Sequence, residues 1–496
     1  MKRLRFSLFI ALAVLIILCL VFSFSIQPSS AQSSPFDWSN PEQITQSQEA
    51  ISEPDLVADQ SGRVHLFWAP FSSESQSLYY SQFTSIGWTD PVDIFTADQI
   101  GGPSAVVDSL GIIHLIWNGD NTVYYSQATV DEAHSAVSWT TPIAIDNSNK
   151  HGRILTATNS PGEPDKLYIV YAGLSGSGPQ FVASEDGGAN WSEPVTISLT
   201  ESSNASADYV AGAISSDGTI HVVWTEFKLP QGWPPLGVYY SHSNDDGQTW
   251  SRPLQMASGN YDQINIAVFG DSVVHVAWNG AAGTGGRYHR WSQDGGDNWA
   301  TTNVVVPIGV GGTEGPPQLA VDSLGTLHLV TTYDQRVWYS YFQSTGGGRW
   351  SEPIYVPSGD EAGIPPVGQS IDVAKTRHIE SPTMTINQGN RLHLVFWDER
   401  PSQQIIQYWY TTKQTSAGST PLQPFPTPTI SPTRHAVTNR TDASATNITP
   451  SPAFDLSSGP DTSSANPGWP ILIAVLPVIL IITSVVIFRL ARLKGR

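Results

Sequence analysis

Six histidines recur at one place in a repeated pattern, each between apolar neighbours: His65, His114, His221, His275, His328 and His393. Imidazoles brought together would suit a metal ion or a general base. These stand in separate copies of a repeat, so symmetry spreads them around a ring. Each is therefore expected to hydrogen-bond to a neighbouring strand or turn as part of the framework. A second set lies between the patterned segments. Arg153, Arg287, Arg336, Arg377 and Arg400 carry planar forks that match a carboxylate. Asp334, Asp398, Glu399, Glu226 and Glu380 could supply the carboxylate pair of an acid/base hydrolysis. Trp233 and Tyr333, flanked by carboxylates, offer flat faces for stacking a sugar. The ligand-binding candidates are Glu226, Trp233, Tyr333, Arg287 and Glu380. No residue is assigned as catalytic; the candidates are Arg153, Arg336, Arg377, Arg400, Asp334, Asp398 and Glu399.

The elements that must position these groups form a repeat of about fifty residues, long enough for one four-stranded unit. Trp-x-x-Pro occurs at Trp38, Trp88, Trp139, Trp191, Trp250 and Trp350, and Trp299-Ala-Thr-Thr holds the same place without proline. Before each of the later ones come an alternating strand, a turn, the histidine strand, and Tyr-Tyr-Ser or a variant of it. Each unit reads as four short strands, A to D, with D starting at the Trp. Seven A–B–C modules begin near Asp55, Pro103, Arg153, Tyr209, Ile264, Gln318 and Pro382. The seventh has no D strand after it, while Trp38–Ile44 is a D strand with nothing before it. The expectation is an all-β, seven-bladed propeller over 32–414 whose N-terminal strand completes the last blade, which removes an exposed sheet edge. Six blades remain the alternative if one module is over-split.

Three C-to-D turns share Ser-x-Asp-x-Gly-x-x-Trp, at 184–191, 243–250 and 292–299. Asp186, Asp245 and Asp294 can accept from backbone N–H groups of their own turns. Gly188, Gly247 and Gly296 supply a positive φ. Trp191, Trp250 and Trp299 can wedge each turn against a neighbour. These turns resemble the Asp box, or BNR repeat, of sialidases and related β-propellers. The resemblance implies architecture more than activity. It also implies that the working face is built by D-to-A and B-to-C loops, opposite the Asp boxes. Those loops include Thr225–Pro235 of blade four and Pro357–Glu380 entering blade seven. A sialidase holds its substrate's carboxylate with three arginines and uses a Tyr–Glu pair and an Asp. Its early Arg-Ile-Pro motif is missing here, the nearest approach being Arg153-Ile-Leu in the third blade. Sialidases are also six-bladed. The catalytic set therefore does not carry over residue by residue, and the expected role is non-catalytic binding of glycan or protein. An exo-acting, sialidase-like glycoside hydrolase and an assembly scaffold are the alternatives.

The two ends set the compartment. Residues 1–31 combine Lys2, Arg3 and Arg5 with an apolar run and small residues up to Ala31, which reads as a secretory signal. Pro470–Phe488 is uncharged and mostly apolar, about long enough at ~1.5 Å per residue to span a bilayer core. The basic tail 489–496 places the C-terminus in the cytoplasm. Residues 415–469 are rich in Ser, Thr and Pro and read as a disordered stalk. The expectation is a single-pass plasma-membrane protein with its bulk outside, and a monomer. Cys19 lies in the signal, so the exterior has no disulfide. Seven of the 24 Lys and Arg lie in the two ends, leaving 17 against all 43 Asp and Glu, a net charge of −26. That excludes nucleic acid as a partner. No cofactor or metal is assigned; calcium would suit the acidic balance, but no ligand spacing supports it.

Overall fold

In a computed structural model of the protein, residues 37–425 and 449–450 are described, apart from 48–49, 52–53, 72–75, 98, 149–151, 160–162, 175, 201–203, 231, 233–234, 281–284, 307–314, 334–335, 359–377 and 401–404. The expected signal, most of the expected stalk, the apolar segment 470–488 and the expected cytoplasmic tail lie outside the described residues. Among the described residues, no helix is long and apolar enough to cross a membrane.

Seven antiparallel sheets follow one another in chain order, each a meander from inner strand A to outer strand D. Blade 5 shows the plan: Tyr261–Phe269, Val273–Gly280, Arg287–Ser292 and Asn303–Val306 pair in sequence. The A strands of successive blades touch, and that of blade 7 (His378–Asn387) touches that of blade 1 (Asp55–Ala58), so the ring closes. The last blade takes its outer strand from the N-terminal side. Glu42–Ser47 pairs antiparallel with Ile405–Gln414, and Trp38 bridges Lys413. The protein is a seven-bladed β-propeller.

The core is not central but lies in the seams between blades. Phe67, Leu78 and Phe95 of blade 1 pack with Leu115 and Trp117 of blade 2, and Val223 and Tyr240 of blade 4 pack with Ile266 and Val276 of blade 5. The repeated tryptophan sits in these seams, and strand D proper begins after the Pro, as at Val92–Ala97 and Leu254–Ser258. Its ring stands edge-on to an aromatic on strand C of the preceding blade. The pairs are Trp88–Tyr410, Trp139–Tyr80, Trp191–Tyr125, Trp250–Phe181, Trp299–Tyr240, Trp350–His289 and Trp38–Tyr339, with centroids 4.9–6.4 Å apart. Seven seams thus use one edge-to-face geometry, which adds about 0.5–1.5 kcal/mol beyond buried area.

The histidines hold the same framework. Nδ1 of His65, His114, His221, His328 and His393 lies 2.6–2.8 Å from a strand-C tyrosine hydroxyl. Nε2 of His65, His114 and His328 meets Asp59, Asp108 and Asp322 of the A–B turn at 3.2 Å, and that of His221 meets Ser215. Blade 5 departs, because His289 replaces the tyrosine and contacts His275 at 3.1 Å. In the three Ser-x-Asp-x-Gly-x-x-Trp turns, Asp186, Asp245 and Asp294 each accept from the backbone N–H four residues on at 2.8 Å. The opening serines accept from Gly188, Gly247 and Gly296 at 2.8–2.9 Å.

Residues 415–425, expected to be part of a disordered stalk, lie against the propeller. They run across the A–B turns of blades 6, 7, 1 and 2. Ser323 Oγ donates to Gly418 O, Thr420 N to Gln388 O, and Gln423 N to Gln60 O. Leu422 lies over Gly62 and Phe425 over Gly111, with the Arg63 guanidinium 5.7 Å from the Phe425 ring centre. Two apolar anchors in a Ser/Thr/Pro-rich stretch are enough to dock it where composition alone predicts disorder.

Candidate functional site at the mouth of the ring

Antiparallel meanders put all D-to-A connections and B-to-C turns on one face. There the inner strands begin, and three of them begin alike. Asp208, Asp262 and Glu380 are each followed by a residue with positive φ, namely Tyr209 (40°), Gln263 (45°) and Ser381 (44°). The strand register shifts at each, so these are bulges that turn the chain into the ring. Each acidic residue stands thirteen places before its blade's histidine. That fixed offset is the mark these acids leave in the sequence.

Two clusters gather at these strand ends. On blades 1 to 3, Asp55 Oδ2 accepts from Ala105 N at 2.7 Å, and Ser104 Oγ accepts from Ile154 N at 3.4 Å. Burial raises the Asp55 carboxyl above its ordinary pKa, opposed by the charge of Arg153 and the Ala105 N–H. On blades 4 to 6, Arg287 is 1 % exposed and donates to Thr331 Oγ1 at 2.7 Å, Thr332 O at 2.6 Å and Gly286 O at 3.0 Å. Asp262 beside it is 2 % exposed. Burial pushes its pKa up to about 7, which Arg287 counters and Asp208 reinforces. Asp55, Asp208 and Asp262 were not among the expected residues.

The other candidates are dispersed. Glu226 and Phe227, expected in a loop, lie in the long strand Ile220–Lys228, and Glu226 is buried with its Oε1 accepting from Trp224 Nε1 at 3.2 Å. Asp398 is buried in the strand Arg391–Arg400, which also carries Glu399 and ends at Arg400, whose side chain is outside the described residues. Arg336 stacks over Tyr355, 5.3 Å from its ring centre. Tyr333 pairs with Arg336 at the end of its strand; its side chain, Asp334, Trp233 and Arg377 are outside the described residues. Glu380 is half-buried at its bulge. Arg153 lies beside Asp55, Arg287 reaches across to blade 6 and Arg336 lies over Tyr355. Among the described residues, no group of three or more His, Cys, Asp or Glu could hold a metal ion.

Fold and mouth together define a seven-bladed β-propeller whose inner strands begin among polar and charged residues. No family model matches the chain, and no curated protein matches it. Among solved structures, an ulvan lyase from a new polysaccharide lyase family, bound to GlcA(1-4)Rha3S, is 13% identical, with a TM-score of 0.51 over 77% of this chain and 97% of that one. The NanB sialidase of Streptococcus pneumoniae is 12% identical, with a TM-score of 0.42 over 79% of this chain and 72% of that one. The six-bladed lectin of Aleuria aurantia is 13% identical, with a TM-score of 0.41 over 65% of this chain and all of the lectin. At such identities the likeness speaks for the β-propeller fold alone.

Proposed function

We propose that this chain is a monomeric, membrane-anchored extracellular propeller that binds carbohydrate through the face where its inner strands begin, without turning it over. The observation that carries the reading is the mouth itself. Asp55, Ser104 and Arg153 on three consecutive blades give acceptors and donors in one short arc, the mixture that orients hydroxyl groups. Arg287 is buried and donates to Thr331, Thr332 and Gly286 within the protein, which fits a structural role for it better than a place in the three-arginine clamp of a sialidase. The three serine-aspartate turns, read as Asp boxes, support the sialidase-like framework on the opposite face. The apolar segment 470–488 and the basic tail would anchor the ring to the plasma membrane.

The test is a glycan array and a fluorogenic sialoside assay on the full-length chain in nanodiscs. Binding to a sugar class, weakened at least tenfold in Arg153→Ala and without turnover, is the expected result. Sialoside turnover abolished by Arg377→Ala or Arg400→Ala would overturn the reading and make the protein a hydrolase. Silence in both assays would move the ligand to a protein.

A further inference from the structure

Beside Arg287, two buried oxygens stand without a donor. Asp262 and Asn279 are directly opposed in the pairing of strands A and B of blade 5, so their side chains leave the same face of the sheet. Asp262 Oδ1 and Asn279 Oδ1 are both inaccessible and neither accepts a hydrogen bond. Asn279 is 0 % exposed. Its amide cannot be turned round to cure this. Nδ2 donates to Gln263 Oε1 at 2.7 Å and to Gly315 O at 2.8 Å, two acceptors that need the NH2 where it is. Gly315 lies at the start of blade 6, so this amide ties blade 5 to its neighbour. Two facing acceptors, one of them a carboxylate, would repel each other and loosen that tie.

We propose that Asp262 is a protonated carboxylic acid whose O–H donates to Asn279 Oδ1, making the Asp262–Asn279–Gly315 chain a proton-dependent latch between blades 5 and 6. The proton satisfies both orphaned oxygens at once and removes the buried charge. The neighbours are consistent with it. Asp208 on the blade 4 inner strand brings negative charge to Asp262, and Arg287 brings positive charge from strand C; the buried Glu226 stands on strand B of blade 4. Tyr239 of blade 4 accepts from Gln255 Nε2. The blade 6 inner strand, Gln318–Val321, has no titratable residue. The His221–Tyr240 and His275–His289 pairs occupy the opposite ends of their strands. Burial of the carboxyl outweighs Arg287 and moves its titration to about pH 7, so the latch would open near neutrality.

The sign is fixed by linkage. A carboxyl whose pKa is raised on folding binds its proton more tightly in the native state, so it costs stability as pH rises from its unfolded value to its folded one. The experiment measures the thermal midpoint of the full-length chain from pH 4.5 to 8.5, for wild type and Asp262→Asn. In parallel, the Asp262 carboxyl is followed in wild type by carbon-13 titration of selectively labelled protein. The wild type is expected to lose stability towards pH 7 relative to Asp262→Asn, whose amide can donate to Asn279 Oδ1 at every pH. The label is expected to titrate near neutrality. Parallel pH profiles, or a label already ionised at pH 5, would overturn the proposal and assign the two oxygens to a bridging water. Should Asp262→Asn not fold, the wild-type titration decides alone.

Discussion

Trp299 of blade 5 stands edge-on to Tyr240 of blade 4, with ring centroids 4.9 Å apart and planes at 71°. Between them runs Gly296, at φ +96°, so close that a β-carbon would overlap the Tyr240 hydroxyl. Gly296→Ala therefore combines backbone strain with a clash and is expected to cost about 2–4 kcal/mol. Adding Tyr240→Phe should recover part of that loss. Gly346→Ala, with φ +74° but nothing within 4 Å, should cost only about 1 kcal/mol. Denaturant unfolding of the three variants checks the order.

The framework histidines make the propeller acid-sensitive. Burial depresses His221 to about 4, assisted by His242, and His275 and His393 to about 3. A histidine held neutral by folding gives stability that is complete above its unfolded pKa near 6.5 and is lost as pH falls towards the folded value. Unfolding midpoints should therefore decline steadily from pH 6.5 to 4. The slope should be shallower in His393→Gln, in which one depressed group is gone. A profile flat between these pH values would refute the buried neutral imidazoles.

Much of this framework is legible in the sequence. The strand count, the ring closure and the structural placing of the histidines follow from Trp-x-x-Pro and apolar-His-apolar, because a repeated unit imposes the same surroundings on the same residue. The site was far less legible. Glu226 and Asp398 look like loop residues because polarity breaks the alternation, yet their strands continue through them. Arg287 follows a Gly-rich loop, and nothing local reveals that Thr332 O of the next blade receives it. The bulge acids escaped because a positive φ at Tyr209 or Gln263 leaves no mark of the kind glycine leaves.

Closure by the N-terminal strand should be costly to undo. Trp38 is almost fully buried against Tyr339, so Trp38→Ala is expected to lose about 3–5 kcal/mol. Limited proteolysis should then cut first in blade 7. Equal protection of blades 7 and 4 in that variant would show that the N-terminal strand is not what secures the ring.

The strap over the A–B turns makes a separate prediction. Phe425→Ala removes the ring that covers Gly111 and faces Arg63, and should cost about 1–2 kcal/mol. The change belongs to blades 1 and 2, so hydrogen exchange should rise at Gly111 and Gly62 while the turn Thr345–Gly347 of blade 6 stays unchanged. Uniform exchange across the three turns would show that the segment does not rest there.

The shared blade also sets a timetable. Within the propeller, Glu42–Ser47 leaves the ribosome before the other described strands, and its partner Ile405–Gln414 leaves after the other strands of the seven blades. At about 5–20 residues per second the first strand waits on the order of tens of seconds for its mate. A hydrophobic edge held open that long would invite pairing with other chains. Its sequence, Glu-Gln-Ile-Thr-Gln-Ser, carries a single large apolar side chain. The strand that must be most patient is thus one poorly able to find a wrong companion while it waits.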